Sequence, residues 1–227
     1  MNAPTQLRED YHALVREDVF SLVPRGGGTL LDVGGGVGAT AAKLRERGYA
    51  DRAGVVDRVA HDVTSLGLDF RHSGDLEDGD FLDDVISAEG PFQCILCLDV
   101  LEHLRDPWGI VAQLHNALVP GGVMIASVPN VRNYKVLLPL AFRNRWTLTD
   151  AGVLDRTHLR FFVKSSAIEL MTNSGLLLDH VAANPSGGRA VRLFRALTLG
   201  QLNSFTDLQY LIRVRRPMAP GRTQLAA

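Results

Sequence analysis

The sequence predicts an α/β fold built on a doubly wound, largely parallel sheet. Three observations carry this. Five strand-length apolar runs alternate with helix-compatible segments between residues 29 and 129. The runs are nearly continuously apolar, as expected for strands covered on both faces. The first run ends in an acid, Asp32, followed after Val33 by the glycines 34 to 36 and Gly38, where such a fold turns from strand to helix around a ligand.

The elements follow in order. Residues 8 to 23 show helical spacing, with Tyr11, Leu14, Val15, Val19 and Leu22 on one face. Pro24 and the glycines 26 to 28 stop that helix. Strands are expected at 29–33, 53–57, 68–75, 92–99 and 121–129. Helices are expected at 39–48, 59–67, 80–89 and 106–118, the last opened by Asp106 and Pro107. Beyond residue 130 the rhythm breaks into a long irregular stretch rich in arginine and aromatics, up to about residue 160. A helix at 164–175 restores order. Two closing strands are expected at 176–184 and 204–216, with a basic amphipathic segment at 187–200 between them. The organisation is therefore one domain: an N-terminal cap (1–27), a ligand-binding core (28–130), an insertion (130–162), closing elements (163–216) and a tail (217–227).

The bulk composition sets limits. The chain has 227 residues, 46% of them apolar, and a formal net charge of −1. That balance does not suit a protein that coats nucleic acid, and no nucleic-acid partner is expected. The apolar run 136–142 is far too short for a transmembrane helix, which needs ~20 residues, and the N-terminus has no apolar signal core. A cytoplasmic location is the resulting expectation. The Cys94-x-x-Cys97 pair lies on an expected strand, where residues three apart face opposite ways, so core packing is expected rather than a metal or redox pair.

The residues 34–39 satisfy G-x-G-x-x-G/A, which admits a dinucleotide. Three acids sharpen the reading. Asp32 would repel a pyrophosphate but attract an ammonium group. Asp57, ending the second strand, can accept from both hydroxyls of a ribose. Asp75, in the Ser73-Gly74-Asp75 turn, can accept from an adenine amino group. A ligand with those three parts and no phosphate is S-adenosylmethionine.

Those acids, the glycine turn and the segment LDVLEHLRDPW at 98–108 resemble the class I S-adenosylmethionine-dependent methyltransferases, in order and in spacing. The stretch 150–176 resembles a subgroup acting on sugars and other small hydroxylated metabolites. The resemblance implies a Rossmann-like, mostly parallel seven-stranded sheet, its last strand antiparallel, with an insertion after the fifth strand. Gly35 departs from the pattern, since many relatives carry Cys, Ser or Thr there. The cofactor contacts nominated are Tyr11, Asp32, Gly34, Gly36, Gly38, Asp57, Asp75, Leu76, Leu98 and Asp99.

Methyl transfer asks for alignment and, for an oxygen acceptor, removal of a proton. His103 and His158 are the candidate bases. Asp99, Glu102, His103 and His158 also form a donor set suited to Mg²⁺ or Mn²⁺, and some methyltransferases with a similar Glu-His segment hold such an ion; a histidine base is preferred here. Asn130, Arg132, Asn133, Tyr134, Trp146, Phe161 and Phe162 are expected around the acceptor, with one of the two phenylalanines in the core. O-methylation of a small hydroxylated acceptor is the leading expectation. N- or C-methylation, an NAD-dependent oxidoreductase and a non-catalytic binding protein are the alternatives. The 187–200 segment is expected to be a lid or a homodimer contact in preference to a membrane contact.

Overall fold

A computed structural model describes residues 14–59 and 66–218. Tyr11 and most of the expected 59–67 helix lie outside these residues. The seven strands are β1 (Thr29–Val33), β2 (Arg52–Asp57), β3 (Phe70–Ser73), β4 (Phe92–Leu98), β5 (Leu118–Pro129), β6 (Leu177–Pro185) and β7 (Asp207–Arg215). The helices are α1 (Ala39–Glu46), α2 (Phe81–Glu89), α3 (Pro107–Ala117), α4 (Tyr134–Arg143), α5 (Lys164–Thr172) and α6 (Arg189–Leu197). Strand order is β3-β2-β1-β4-β5-β7-β6. The first five strands are parallel, and β7 runs antiparallel between β5 and β6.

Strand alternation sends successive side chains to opposite faces. Leu31, Val33, Cys97, Met124 and Tyr210 join one core with residues of α2, α3 and α5. Leu30, Cys94, Leu96 and Ile125 join the other with α1 and the 3₁₀ turn Glu17–Leu22. The two thiols thus sit on opposite faces, and burial pushes that of Cys94 up to about 12, which leaves it an inert apolar filler. Each fully buried leucine in these layers contributes about 1.5–3 kcal/mol.

Three elements differ from expectation. The described part of the N-terminal segment forms a 3₁₀ turn, Glu17–Leu22, not an α-helix. The stretch after β5 is not irregular throughout: it holds α4, capped by Asn133, whose side chain accepts from the Lys135 N–H at 3.0 Å. Apolar residues on most sides of α4 and Pro139 inside it hide its period, and Val136 is its buried residue. β5 begins three residues early, at Leu118. α6 is formed as expected but buries no residue, and Leu197 is 74% exposed.

Candidate active site

The chain runs from β1 to β2 on one side and later crosses to β4 on the other. This reversal opens a crevice beyond the carboxyl ends of β1 and β4, the usual ligand position in open α/β sheets. A cavity of about 420 Å³ occupies it. Among the described residues its lining includes Asp32, Gly34, Gly35, Gly36, Leu98 and Asp99, together with Arg16, Asp18, Thr40, Asn184 and Gln209.

The glycine turn is required by space. Gly34 has φ +67°, and a Cβ there would collide with Val100. A Cβ at Gly35 would meet the Asp32 carboxyl, so the departure noted at Gly35 gives that carboxyl its room. The Gly36 N–H donates to Asp57 Oδ2 at 2.8 Å, which ties the turn to the end of β2. Gly38 stands at the N-terminus of α1 with φ +80°. Asp57, Gly38, Asp75 and Leu76 lie outside the cavity wall. Asp75 accepts from the Glu77 N–H at 3.0 Å and faces Arg58 at 3.5 Å. Leu76 packs against the core.

Asp32 is 2% exposed, and its Oδ1 has no hydrogen-bond partner among the described residues. Burial first, and then the nearby Asp57, push its pKa up to about 7, against the pull of Arg16 and the Ala41 N–H. An orphaned, buried carboxyl at the cavity wall fits a cationic ligand group, since an ammonium would satisfy both its charge and its free oxygen.

Asp99 is held differently. Its backbone takes φ +57°. Its carboxylate accepts from Arg16, from Gln209 and, at 3.1 Å, from the Ser127 hydroxyl. Arg16 also pairs with Asp18 at 3.0 Å and donates to Gln209 Oε1 at 3.1 Å. Arg16 was not singled out in the sequence. It lies 83 residues from Asp99, and nothing local to it marks the pairing.

Beyond Asp99, Glu102, His103 and His158 converge, with ligand-type atoms within 4.8 Å of one another. Asp99 stands outside this group, and its oxygens are engaged by Arg16, Gln209 and Ser127. The segment carrying His158 is strapped down by backbone: the Leu159 and Arg160 N–H groups both donate to Glu102 O, at 2.8 and 2.9 Å, and Val131 N–H donates to Phe162 O at 2.9 Å. The His158 ring Nδ1 lies 3.1 Å from Val153 O, and His103 Nδ1 lies 3.3 Å from Thr157 O. A carbonyl only accepts, so both Nδ1 atoms carry a proton, and in the neutral form of either ring the lone pair falls on Nε2. Glu102 is 1% exposed; among the described residues neither oxygen has a hydrogen-bond partner, and Oε1 lies 4.0 Å from His158 Nε2. Burial, and then the charge of Asp99, hold its pKa well above the usual carboxylate range. Burial, and then His103, lower the pKa of His158, so its imidazole is neutral at pH 7.

Phe162 is core at 3% exposure. Phe161 faces outward, its ring 5.2 Å from that of Trp146 in an edge-to-face arrangement. Asn130 and Asn133 are buried and structural, with side-chain N–H groups donating to Asp207 O at 2.9 Å each.

A family model described as a methyltransferase domain matches residues 5–181. The chain belongs to the methyltransferase family. It is 30% identical over 199 residues to a ubiquinone biosynthesis O-methyltransferase of Idiomarina loihiensis, covering 84% of this chain and 76% of that protein. It is 27% identical over 221 residues to the Caulobacter vibrioides protein of the same description, covering 92% and 81%. An S-adenosylmethionine-dependent methyltransferase of Archaeoglobus fulgidus shares the fold, with a TM-score of 0.60 at 14% identity over 93% of this chain and 99% of that one. The methyltransferase uses S-adenosylmethionine, the cofactor of its family. Among its described residues, no helix is long and apolar enough to cross a membrane.

Proposed function

We propose that the protein methylates a hydroxyl oxygen of a small acceptor, with the chemistry centred on His158, His103 and Glu102. The observation that carries this is the buried Glu102 beside two imidazoles whose Nδ1 atoms are turned to backbone carbonyls, with His158 Nε2 4.0 Å from Glu102 Oε1. The cluster lies just beyond Asp99 of the cavity wall, close enough for the Asp99 charge to act on both Glu102 and His158. The names of the ubiquinone relatives support an oxygen acceptor.

Asp32 takes the ammonium end of S-adenosylmethionine, and Arg16 supplies the cation for the carboxylate beside it. When bound, S-adenosylmethionine supplies a methyl group on a sulfonium that already leaves readily. The chain itself then has two tasks. It aligns the acceptor, for which Trp146 and Phe161 offer a flat apolar wall. It also accepts the hydroxyl proton, at His158 Nε2, whose lowered pKa keeps it a free base at pH 7.

One observation favours a second reading at the same place. Two orphaned Glu102 oxygens beside two imidazoles fit a divalent cation, which Glu102, His103 and His158 would hold and which would acidify the acceptor hydroxyl. The test is methyl transfer to catechols, sugars and glycosides by His158→Ala and by wild-type protein after EDTA. A base predicts that EDTA leaves activity intact while His158→Ala removes it. A cation predicts loss with EDTA and rescue by Mg²⁺ or Mn²⁺. Full activity in His158→Ala and after EDTA contradicts both.

A further inference from the structure

A second cavity, of about 350 Å³, lies on the other face of the sheet. It is lined by Arg132, Val163, Lys164, Ser165, Ile168, Ser204 and Tyr210. Gln209 and Tyr210 are successive residues of β7. Gln209 faces the cofactor cavity and Tyr210 this one, so the two spaces are separated by the sheet.

Three independent features make this second cavity receptive to an anion. First, α5 begins here, and the residue at its cap is Val163, which has no side-chain acceptor to offer the first-turn N–H groups. The positive end of the helix is left open toward the cavity. Second, the Tyr210 residue is 1% exposed and its hydroxyl has no hydrogen-bond partner among the described residues. Burial, and then Asp207, push its pKa up to about 12 against Arg132 and Arg195, so it stays a donor at neutral pH. Third, two cations border the cavity without an acid. The Arg132 guanidinium lies over the Phe205 ring at 4.4 Å, and neither it nor the Lys164 ammonium has an ion-pair partner among the described residues. Asp207 is occupied by Arg195.

We propose that this cavity binds a phosphate group, cradled by the N-terminus of α5, Arg132, Lys164 and the Tyr210 hydroxyl. Phosphate suits the set because its several oxygens can accept from two cations, a phenol and backbone N–H groups at once. The volume exceeds that of the anion alone, and Val163 and Ile168 supply apolar wall for the body of a phosphomonoester. The site is additional to the methyl-transfer site, and its binding does not depend on the proposed acceptor or base.

The experiment is calorimetry and thermal denaturation of the full chain with inorganic phosphate and, separately, phenyl phosphate, each at ionic strength matched with chloride. The expected result is saturable binding and a raised Tm. Tighter binding of phenyl phosphate would identify an ester as the natural source, and tighter binding of inorganic phosphate the free anion. Arg132→Met with Lys164→Met lowers the affinity at least about tenfold and leaves S-adenosylhomocysteine binding unchanged. Tyr210→Phe, which keeps the ring in the core, lowers it several-fold with no loss of Tm in chloride. Absence of a saturable response in the wild type, or phosphate affinity unchanged in either variant, overturns the proposal.

Discussion

Asp32 and Glu102 are both buried acids with unpartnered oxygens at the carboxyl end of the sheet, yet their surroundings differ. Asp32 sits over bare glycine backbone, at the wall of an open cavity with Arg16 nearby. Glu102 sits beside two imidazoles that touch each other, and its backbone carbonyl anchors the strap that carries His158. The first environment suits a ligand cation held at a fixed place. The second suits proton or metal chemistry, since a neutral imidazole beside a buried carboxyl can take up charge that forms during reaction. On the proposed reading the two acids divide binding from catalysis, and substitutions at each should separate the two.

The largest effect is expected at His158. His158→Ala should lower kcat by about 10²–10⁴-fold while the calorimetric Kd for S-adenosylhomocysteine changes less than about twofold. A matching loss of binding would join the two regions that the structure keeps apart.

Asp32→Asn should do the reverse, weakening S-adenosylhomocysteine by about 100-fold, the cost of removing one partner of a buried charge pair. It should also stabilise the ligand-free protein. A carboxyl whose folded pKa is raised favours folding below its unfolded pKa near 4 and loses that contribution as pH rises through about 7. At pH 8 the buried charge is therefore a full cost, and Asp32→Asn should raise Tm by on the order of 2–4 °C per kcal/mol recovered. A lower Tm at pH 8 would contradict this.

Arg16→Met comes next. It removes the cation facing Asp99 and Asp18 and should weaken the cofactor product about tenfold by calorimetry. Gly35→Ser should be smallest, a few-fold loss of affinity, because the Asp32 carboxyl must shift to admit the new side chain. A 100-fold loss would show that this carboxyl cannot move.

The same contrast explains what could be read from the chain alone. Asp32, the glycines and Asp57 lie within 26 residues, and the turn between strand and helix puts them together by local rules. The strands β1, β2 and β4 were legible because continuous apolar runs need covering on both faces. Glu102 meets His158 across 56 residues, so which imidazole faces which oxygen depends on a strap whose anchors are backbone groups, which carry no sequence signature. Arg16 was hidden for the same reason. Asp99 was grouped with the metal donors by proximity in sequence, and its capture by Arg16 and Gln209, the latter 110 residues away, removed it. The second cavity was not legible either: Val163 and Lys164 open α5, and Tyr210 reaches them only through the antiparallel return of β7.

The most direct test of the account is the affinity for S-adenosylhomocysteine at pH 6 and pH 8, measured calorimetrically on the wild type. Asp32 must be ionised to hold the ligand ammonium, and its pKa lies at about 7 in the free protein. The account predicts one site per chain, with binding about tenfold tighter at pH 8 than at pH 6 and the difference abolished in Asp32→Asn. Equal affinity at the two pH values, or binding of NAD in place of S-adenosylhomocysteine, would contradict it.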